Sequence, residues 1–316
     1  MTEEIKKTRS TRYNKTTEKE IKNNNIKNEK NEKEKTSNNK LTKILFIILA
    51  IFILFFCYIS LIEPSIINVK EYKVEATNLP NSFHGLKIVH FSDIHYGTKI
   101  NKKQLDKIVT KINNINPDII IFTGDLIDKN IKPNDEIKKE IKTSLSKLEC
   151  TLNKYAIYGN EDNNYKDYEE ILKSANFTLL NNETKLLYYK DNTPILIGGF
   201  NSENANYSII KDNIEETSTS QLFKIILIHE PDNIDQLIEY NPNIVLSGHT
   251  LGGLIKLPFL KPLFLEEGAT KYYEDYYKIK NTELFISNGL GTTDLNVRLN
   301  NYPSINLYRL YKKDSN

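Results

Sequence analysis

Leu86-Lys87-Ile88-Val89-His90-Phe91-Ser92-Asp93-Ile94-His95-Tyr96-Gly97 is the stretch that decides the fold. Its apolar run is too short for a stand-alone helix and rich in branched residues, so it predicts a buried strand. The strand ends on an Asp-x-His pair. In extended chain those two side chains project to the same side and would grip one ion together. Four more short apolar runs end in the same manner. Ile119–Phe122 leads to Gly124-Asp125, and Tyr155–Tyr158 to Gly159-Asn160. Ile225–Ile228 leads to His229, and Ile244–Leu246 to Gly248-His249. Residues just beyond the carboxyl ends of neighbouring strands converge on one rim of a sheet. The six candidates Asp93, His95, Asp125, Asn160, His229 and His249 therefore predict a binuclear metal centre. Asp125 has two carboxylate oxygens and is the natural bridge. Mixed oxygen and nitrogen donors suit Mn, Fe or Zn better than Ca.

Each piece has a plain structural explanation when taken alone. Asp93 resembles a turn or cap residue, Gly124-Asp125 a common turn, and His229 an ordinary strand-end histidine. The ordered set carries the signal. His84 and His90 fall outside it and are expected to be structural. Gly289-Leu290-Gly291 is too short for a dinucleotide loop.

The chain has 316 residues, 43 Lys and Arg, 41 Asp and Glu, and two cysteines, Cys57 and Cys150. Residues 1–43 are mostly Lys, Asn, Glu and Thr, hold 13 of the basic residues and 7 of the acidic ones, and have almost no large apolar side chains. Such a stretch cannot offset its chain entropy and is expected to be disordered. The whole chain is only +2, so the remainder is net acidic, which argues against a nucleic-acid-binding body. Ile44 to Ile62 is uncharged; as a helix it would span about 28 Å, close to a bilayer's hydrocarbon core. A cleaved leader is the rival, but the run is longer than an ordinary leader's and no small-residue cleavage site follows. Lys35, Lys40 and Lys43 precede the span and Glu63 follows it, which predicts a single-pass cell-membrane anchor with the body outside the cytoplasm. One thiol in the span and one in the body exclude a disulfide within the body.

Residues 65–316 have the length of one α/β domain. Helices are predicted over Asn101–Ile115, Ile137–Leu148, Tyr168–Ser174 and Asp232–Glu239. Strands are predicted over Ile67–Ala76, Phe177–Leu180, Lys185–Tyr189, Ile195–Phe200, Gly253–Leu257, Leu284–Ser287 and Ile305–Tyr311, besides the five site-bearing runs. A β-α-β-α opening followed by strand-rich segments suggests two sheets packed face to face with helices outside. The tyrosines at 272, 273, 276 and 277 are expected to be half-buried surface.

Leu86–Gly97, Ile121–Asp128, Tyr158–Asp162, Ile226–Asp232, Leu246–Gly253, Ser287–Gly291 and Arg298 together resemble the calcineurin-like metallophosphoesterases, in particular their bacterial membrane-associated phosphodiesterase-like branch. The resemblance covers about residues 68–311. It implies a four-layer α/β/β/α sandwich and two divalent metal ions. By matching position, Asp93 and His95 hold the first ion, Asp125 bridges, and Asn160, His229 and His249 hold the second. It also implies a metal-dependent phosphoester hydrolase, and the anchor points to an envelope or lipid-linked substrate. Two positions depart from the family's pattern. Glu161 stands where G-N-H-[DE] has the histidine beside the phosphate and leaving group, and is the candidate catalytic residue. Leu251 stands where G-H-x-H has its last histidine, which leaves the first ion three protein ligands unless Glu161 or Asp162 substitutes. These departures keep open a second expectation, an inactive relative holding one metal as a phosphate-binding or structural element.

Overall fold

The computed structural model describes residues 4–210, 222–262, 264–293 and 295–314. By its contacts the chain divides into two units, Met1–Tyr58 and Ile59–Asn316.

The first unit is one helix, α1 (Glu4–Cys57). Lys, Glu and Arg are good helix formers, so a polar stretch can continue the helix of the apolar run. Residues 21–30 are exposed throughout, so no packing rewards that polar part. Asn39–Ser65 is, among the described residues, the one helical stretch long and apolar enough to cross a membrane; its most apolar window has mean hydropathy 3.1. Phe46, Leu54 and Phe56 are exposed along it.

The second unit has two six-stranded sheets. The first contains β1 (Asn68–Ala76), β2 (Lys87–Phe91), β3 (Ile119–Phe122), β4 (Asn153–Ala156), β5 (Phe177–Leu179) and β12 (Ser304–Lys312), in the order β1-β12-β2-β3-β4-β5. The second contains β6 (Glu183–Leu187), β7 (Ile195–Gly199), β8 (Lys224–Leu227), β9 (Ile244–Ser247), β10 (Tyr276–Ile279) and β11 (Thr282–Ile286), in the order β10-β11-β9-β8-β7-β6. The runs β2 to β5 and β7 to β9 are parallel, and β12 lies antiparallel to β2.

Three hydrophobic clusters define four layers. Ile88, Ile119, Ile121 and Tyr155 of the first sheet meet Ile197, Ile225, Leu227 and Phe285 of the second in a central cluster. The alternate residues, Val89, Phe91, Ile120 and Phe122, face the other way and pack with Leu105, Ile108, Ile141 and Ile171 of the outer helices α2 (Lys102–Asn113), α3 (Asp135–Leu145) and α4 (Tyr168–Ser174). On the far side, Ile226 and Val245 pack against Ile234 and Leu237 of α5 (Ile234–Leu237). A strand buried on both faces loses the polar alternation of a half-buried one, which is why these runs read as continuously apolar.

α2 and α3 start where Asn101 and Asn134 cap them, the asparagine side chains accepting from Gln104 and Ile137 N–H; this satisfies donors that the first helical turn leaves free. One expectation after residue 250 fails. Gly253–Leu257 is a turn with an isolated bridge from Ile255 to Leu299, not a strand; Gly252 and Gly253 have φ of 60° and 69° and break extension. Tyr276 and Tyr277 lie in β10, a strand at the sheet edge. Its alternation of exposed and half-buried residues is weak, which hid it among the tyrosines.

Candidate metal centre

The turns that follow β2 and β3 run side by side. Asp93 N–H donates to Gly124 O (2.9 Å), and His95 N–H to Asp125 O (3.1 Å). Neither Asp93 nor His95 is in extended chain: their φ values are 51° and 42°, with Asp125 at 60° and His249 at 68°. The sequence-based reason for Asp93 and His95 sharing a side is therefore corrected. They meet through left-handed turns beyond the strand, not through strand alternation. Left-handed backbone is unfavourable for residues with a Cβ, and its clustering at one rim marks a constrained, functional place.

Close approach does the rest. A Cβ on Gly248 would sit 1.8 Å from Ser92 Oγ, and one on Gly159 would sit 2.2 Å from Asp125 Oδ1. Glycine at both positions lets the neighbouring loops close onto the carboxylates. His249 N–H then donates to both oxygens of Asp93 (3.1 Å each), and Glu161 N–H donates to Asp125 Oδ1 (3.1 Å).

Five of the six candidates are buried together: Asp93, His95, Asp125, His229 and His249. Their donor atoms form two groups of three, Asp93-His95-Asp125 and Asp125-His229-His249, each within 4.8 Å and sharing Asp125. Asn160 is exposed and lies on the rim, where a recess of about 560 Å³ is lined by Asp128, Lys129, Asn160, Glu161 and Tyr165, among others. A third group, His95-Asp128-Glu161, adjoins that recess. Asp128 was not singled out in the sequence, although it stands three residues after Asp125 in the same turn.

Electrostatics test whether cations fit. His229 Nδ1 lies 2.6 Å from Thr123 O; a carbonyl only accepts, so Nδ1 carries the hydrogen. Nε2 then faces Asp125 Oδ2 at 3.2 Å and Asp93 Oδ1 at 3.9 Å, buried and without a hydrogen-bond partner among the described residues. His249 repeats the device, with Nε2 2.7 Å from Glu267 O. A lone pair turned toward carboxylates needs a cation between them, and a carbonyl fixing the opposite nitrogen is the usual support of a metal-binding imidazole. Burial alone would lower the His229 imidazole, but Asp125 and Asp93 override it and hold it well above its ordinary range. His95 behaves likewise: burial opposes charge, yet Glu161, Asp125 and Asp93 lift it to about 9. This excess of buried negative charge is what divalent ions would neutralise, so the donor set fits them.

The remaining candidates separate cleanly. His90 is buried between Tyr308 Oη (3.2 Å) and Thr123 Oγ1 (2.9 Å), and His84 is exposed, accepting from Lys312 N–H. Asp162, considered above as a substitute ligand, is already engaged. It accepts from Asp125 N–H (2.7 Å), Leu126 N–H (3.0 Å) and Gly159 N–H (2.8 Å), and so positions the Asp125 turn. Burial and the neighbouring Asp125 raise its carboxyl to about 7 against those hydrogen bonds. Glu161 Oε2 accepts from Lys129 N–H (2.9 Å) and lies 3.2 Å from His95 Nδ1. Leu251 is buried, with φ of 45°, and its side chain packs beside Gly289, which in turn lies against Asp93.

Sequence comparison joins this geometry to a family: the calcineurin-like phosphoesterase pattern matches residues 86–253, a little over half of the chain. The chain belongs to the calcineurin-like phosphoesterases. An uncharacterized metallophosphoesterase of Bacillus subtilis, YkuE, is 31% identical over 80% of this chain and 88% of its own length. A Danio rerio transmembrane protein with a metallophosphoesterase domain is 26% identical over 75% of this chain and 55% of its own. The UDP-2,3-diacylglucosamine pyrophosphatase LpxG of Chlamydia trachomatis is 27% identical over 63% of this chain and 74% of its own. As a calcineurin-like phosphoesterase the chain falls in a class of metal-dependent phosphoric ester hydrolases. The matched region includes all six candidate ligands and both departures. It excludes Arg298, a fully buried residue that donates to Gly289 O, Gly291 O, Leu251 O and Asn301 O. Gly291 N–H and Leu290 N–H donate to Asp93 O (2.7 and 3.1 Å), so Arg298 fastens the loop that fastens Asp93.

Proposed function

We propose that this chain is a membrane-anchored, metal-dependent phosphodiesterase acting on an envelope or lipid-linked phosphoester, with its body on the extracytoplasmic side. The sharing of Asp125 between two compact donor groups carries this reading. Asp93, His95 and Asp125 would hold one ion, and Asp125, His229 and His249 a second, with Asn160 on the rim beside Glu161. Divalent ions held there would supply Lewis acidity and a hydroxide at neutral pH. The protein's own contribution is orientation. Thr123 O and Glu267 O fix the two imidazoles, Asp162 fixes the Asp125 turn, and the Asp128–Tyr165 recess admits the substrate. Glu161 lines the mouth of that recess, its Oε2 accepting from Lys129 N–H and facing His95 Nδ1. The apolar span and the LpxG relative, named for a diacylated sugar nucleotide, support a lipid-linked substrate.

A second reading has one specific observation in its favour. Leu251 packs against the Gly289 loop beside Asp93 where a fourth donor for the first ion would be needed, which suits a one-ion binding module. Metal analysis of the purified full chain, paired with hydrolysis of bis(p-nitrophenyl) phosphate, separates the two. Two ions with turnover support the enzyme; one ion with no turnover supports the module. Protease added to intact cells should degrade the body and spare residues 1–43, and the reverse pattern would overturn the orientation.

A further inference from the structure

The segment between His249 and Gly268 has a tip that the centre does not use. Pro258 and Pro262 deny it a regular strand or helix. Instead Leu257–Leu260 forms a turn closed by Leu260 N–H donating to Leu257 O (3.2 Å), with Phe259 at φ 65°. Glycine or asparagine is favoured in such backbone. Here a phenylalanine occupies it and is fully exposed (106%), followed by Leu260 at 63% and Phe264 at 42%. Bare, large apolar side chains on and beside one turn mark a surface with a partner.

Hydrogen bonds place this turn beside the exit of the apolar span. Lys256 N–H donates to Leu299 O (2.9 Å), and Asn300 Nδ2 to Lys256 O (3.2 Å). Arg298 N–H donates to Ile59 O (2.8 Å), and Asn301 N–H to Glu63 Oε1 (2.8 Å). Residues 298–301 thus tie the base of the turn to Ile59–Glu63, around which Leu61, Ile62 and Ile66 are also exposed. Leu61 and Pro64 share a recess of about 260 Å³ with Lys99 and Lys107. Apolar side chains flanked by lysines, continuous with the end of a span, have the chemistry of a bilayer interface carrying anionic headgroups.

We propose that Phe259, Leu260 and Phe264 form an apolar lip that enters the bilayer interface, with Lys99 and Lys107 against anionic headgroups. The base of the lip begins and ends on His249, through Thr250 and through the His249 Nε2 to Glu267 O contact. The substrate is then a phosphoester whose apolar part stays in the lipid while its phosphate reaches the centre. This inference rests on the membrane-anchored reading above.

The chain has no tryptophan, so Leu260→Trp makes a single reporter in the full-length protein. The probe is a vesicle of equimolar phosphatidylcholine and phosphatidylglycerol, with and without bromine on the acyl chains. The expected result is a blue-shifted emission that loses most of its intensity to the brominated lipid, while Tyr188→Trp, on the exposed residue after β6, keeps its own. Phe259→Trp is the second reporter and should behave as Leu260→Trp does. Adding Lys99→Glu and Lys107→Glu should weaken the quenching in anionic vesicles and leave it unchanged in pure phosphatidylcholine. Solvent-like, unquenched emission from both reporters overturns the lip. So does blue emission without quenching, which indicates a second copy or another protein on the turn, and so does failure of the chain to float with the vesicles. Quenching needs no turnover. Hydrolysis of a soluble diester without quenching leaves the enzyme and removes the lip; quenching without hydrolysis does the reverse.

Discussion

The two halves of the candidate centre share Asp125 and differ in how their imidazoles are held. His229 and His249 each commit one ring nitrogen to a backbone carbonyl, Thr123 O at 2.6 Å and Glu267 O at 2.7 Å, so the other is aimed before any ion arrives. His95 has carboxylates at both nitrogens: Glu161 and Asp128 near Nδ1, Asp93 and Asp125 near Nε2. Strand ends suffice to bring donors together; fixing which nitrogen is free takes a second fastening from another loop. The His229-His249 half has both, whereas the His95 half has the first alone and an apolar Leu251 where another donor would complete it.

The largest expected effect comes from the shared residue. Asp125→Ala should empty both halves, whereas His95→Ala and His249→Ala should each empty one. Plasma mass spectrometry on purified protein reads this directly. If Asp125→Ala loses no more metal than His95→Ala, the two halves do not share a bridge. Asp125 N–H also donates to Asp162, and that contact survives the substitution, so the loss reports on the carboxylate.

Arg298 breaks the same comparison from behind. Its guanidinium holds the carbonyls of Gly289, Gly291, Leu251 and Asn301; burial lowers its pKa to about 10 against the pull of Asp93 and Glu63, and it stays charged at neutral pH. Arg298→Met leaves those carbonyls without their donor and should cost about 1–3 kcal/mol for each one left unsatisfied, read in urea unfolding. Metal should leave the Asp93-His95 half first, because its Asp93 loop is the one Arg298 secures. Equal loss from both halves would make Arg298 a general core residue.

Much of this was legible in the chain. Ile119–Phe122 and Ile244–Ser247 could be found because strands buried on both faces are continuously apolar, and the glycines before Asp125, Asn160 and His249 marked the sharp approaches. What was not legible depends on contacts between distant segments. Asp162 lies beside Glu161 in sequence, but its role appears only when the Asp125 turn folds onto it. Asp128 sits in a quoted motif, yet nothing local says that it faces His95. The left-handed backbone at Asp93 and His95 was hidden because a strand pattern does not announce where extension stops. β10 was missed because an edge strand with one half-buried face carries little periodic signal.

His90 gives a smaller effect that sharpens the distinction between structural and ligand histidines. Burial holds its pKa down at about 3, against an unfolded value of 6.5. The folded state therefore keeps His90 neutral while the unfolded chain takes up a proton below pH 6.5. Its contribution to stability is intact above that pH and is lost progressively down to about pH 3, on the order of a few kcal/mol. His90→Gln should remove this component from the acid limb of the unfolding curve and leave bound metal unchanged. Metal loss in that variant would mean that Thr123, which His90 touches and whose carbonyl orients His229, transmits the change to the centre.

The last expected effect is a gain, and it asks whether the His95 half is merely short of a donor. Leu251 already has φ of 45°, a conformation histidine tolerates better than leucine, and its side chain packs beside the Gly289 turn that lies against Asp93. Leu251→His should raise occupancy of that half without disturbing the other. Glu161→His removes a carboxylate from beside His95 and from the mouth of the recess, and supplies a group able to donate a proton, a role typically worth about 10²–10⁴-fold. The double variant should hydrolyse bis(p-nitrophenyl) phosphate faster than the natural chain, with the gain in kcat and not in KM alone. If Glu161→Ala instead abolishes a robust natural activity, Glu161 is itself essential to a variant enzyme. If neither chain turns over any diester while metal stays bound, the His229-His249 half is a binding site and the phosphodiesterase reading ends there.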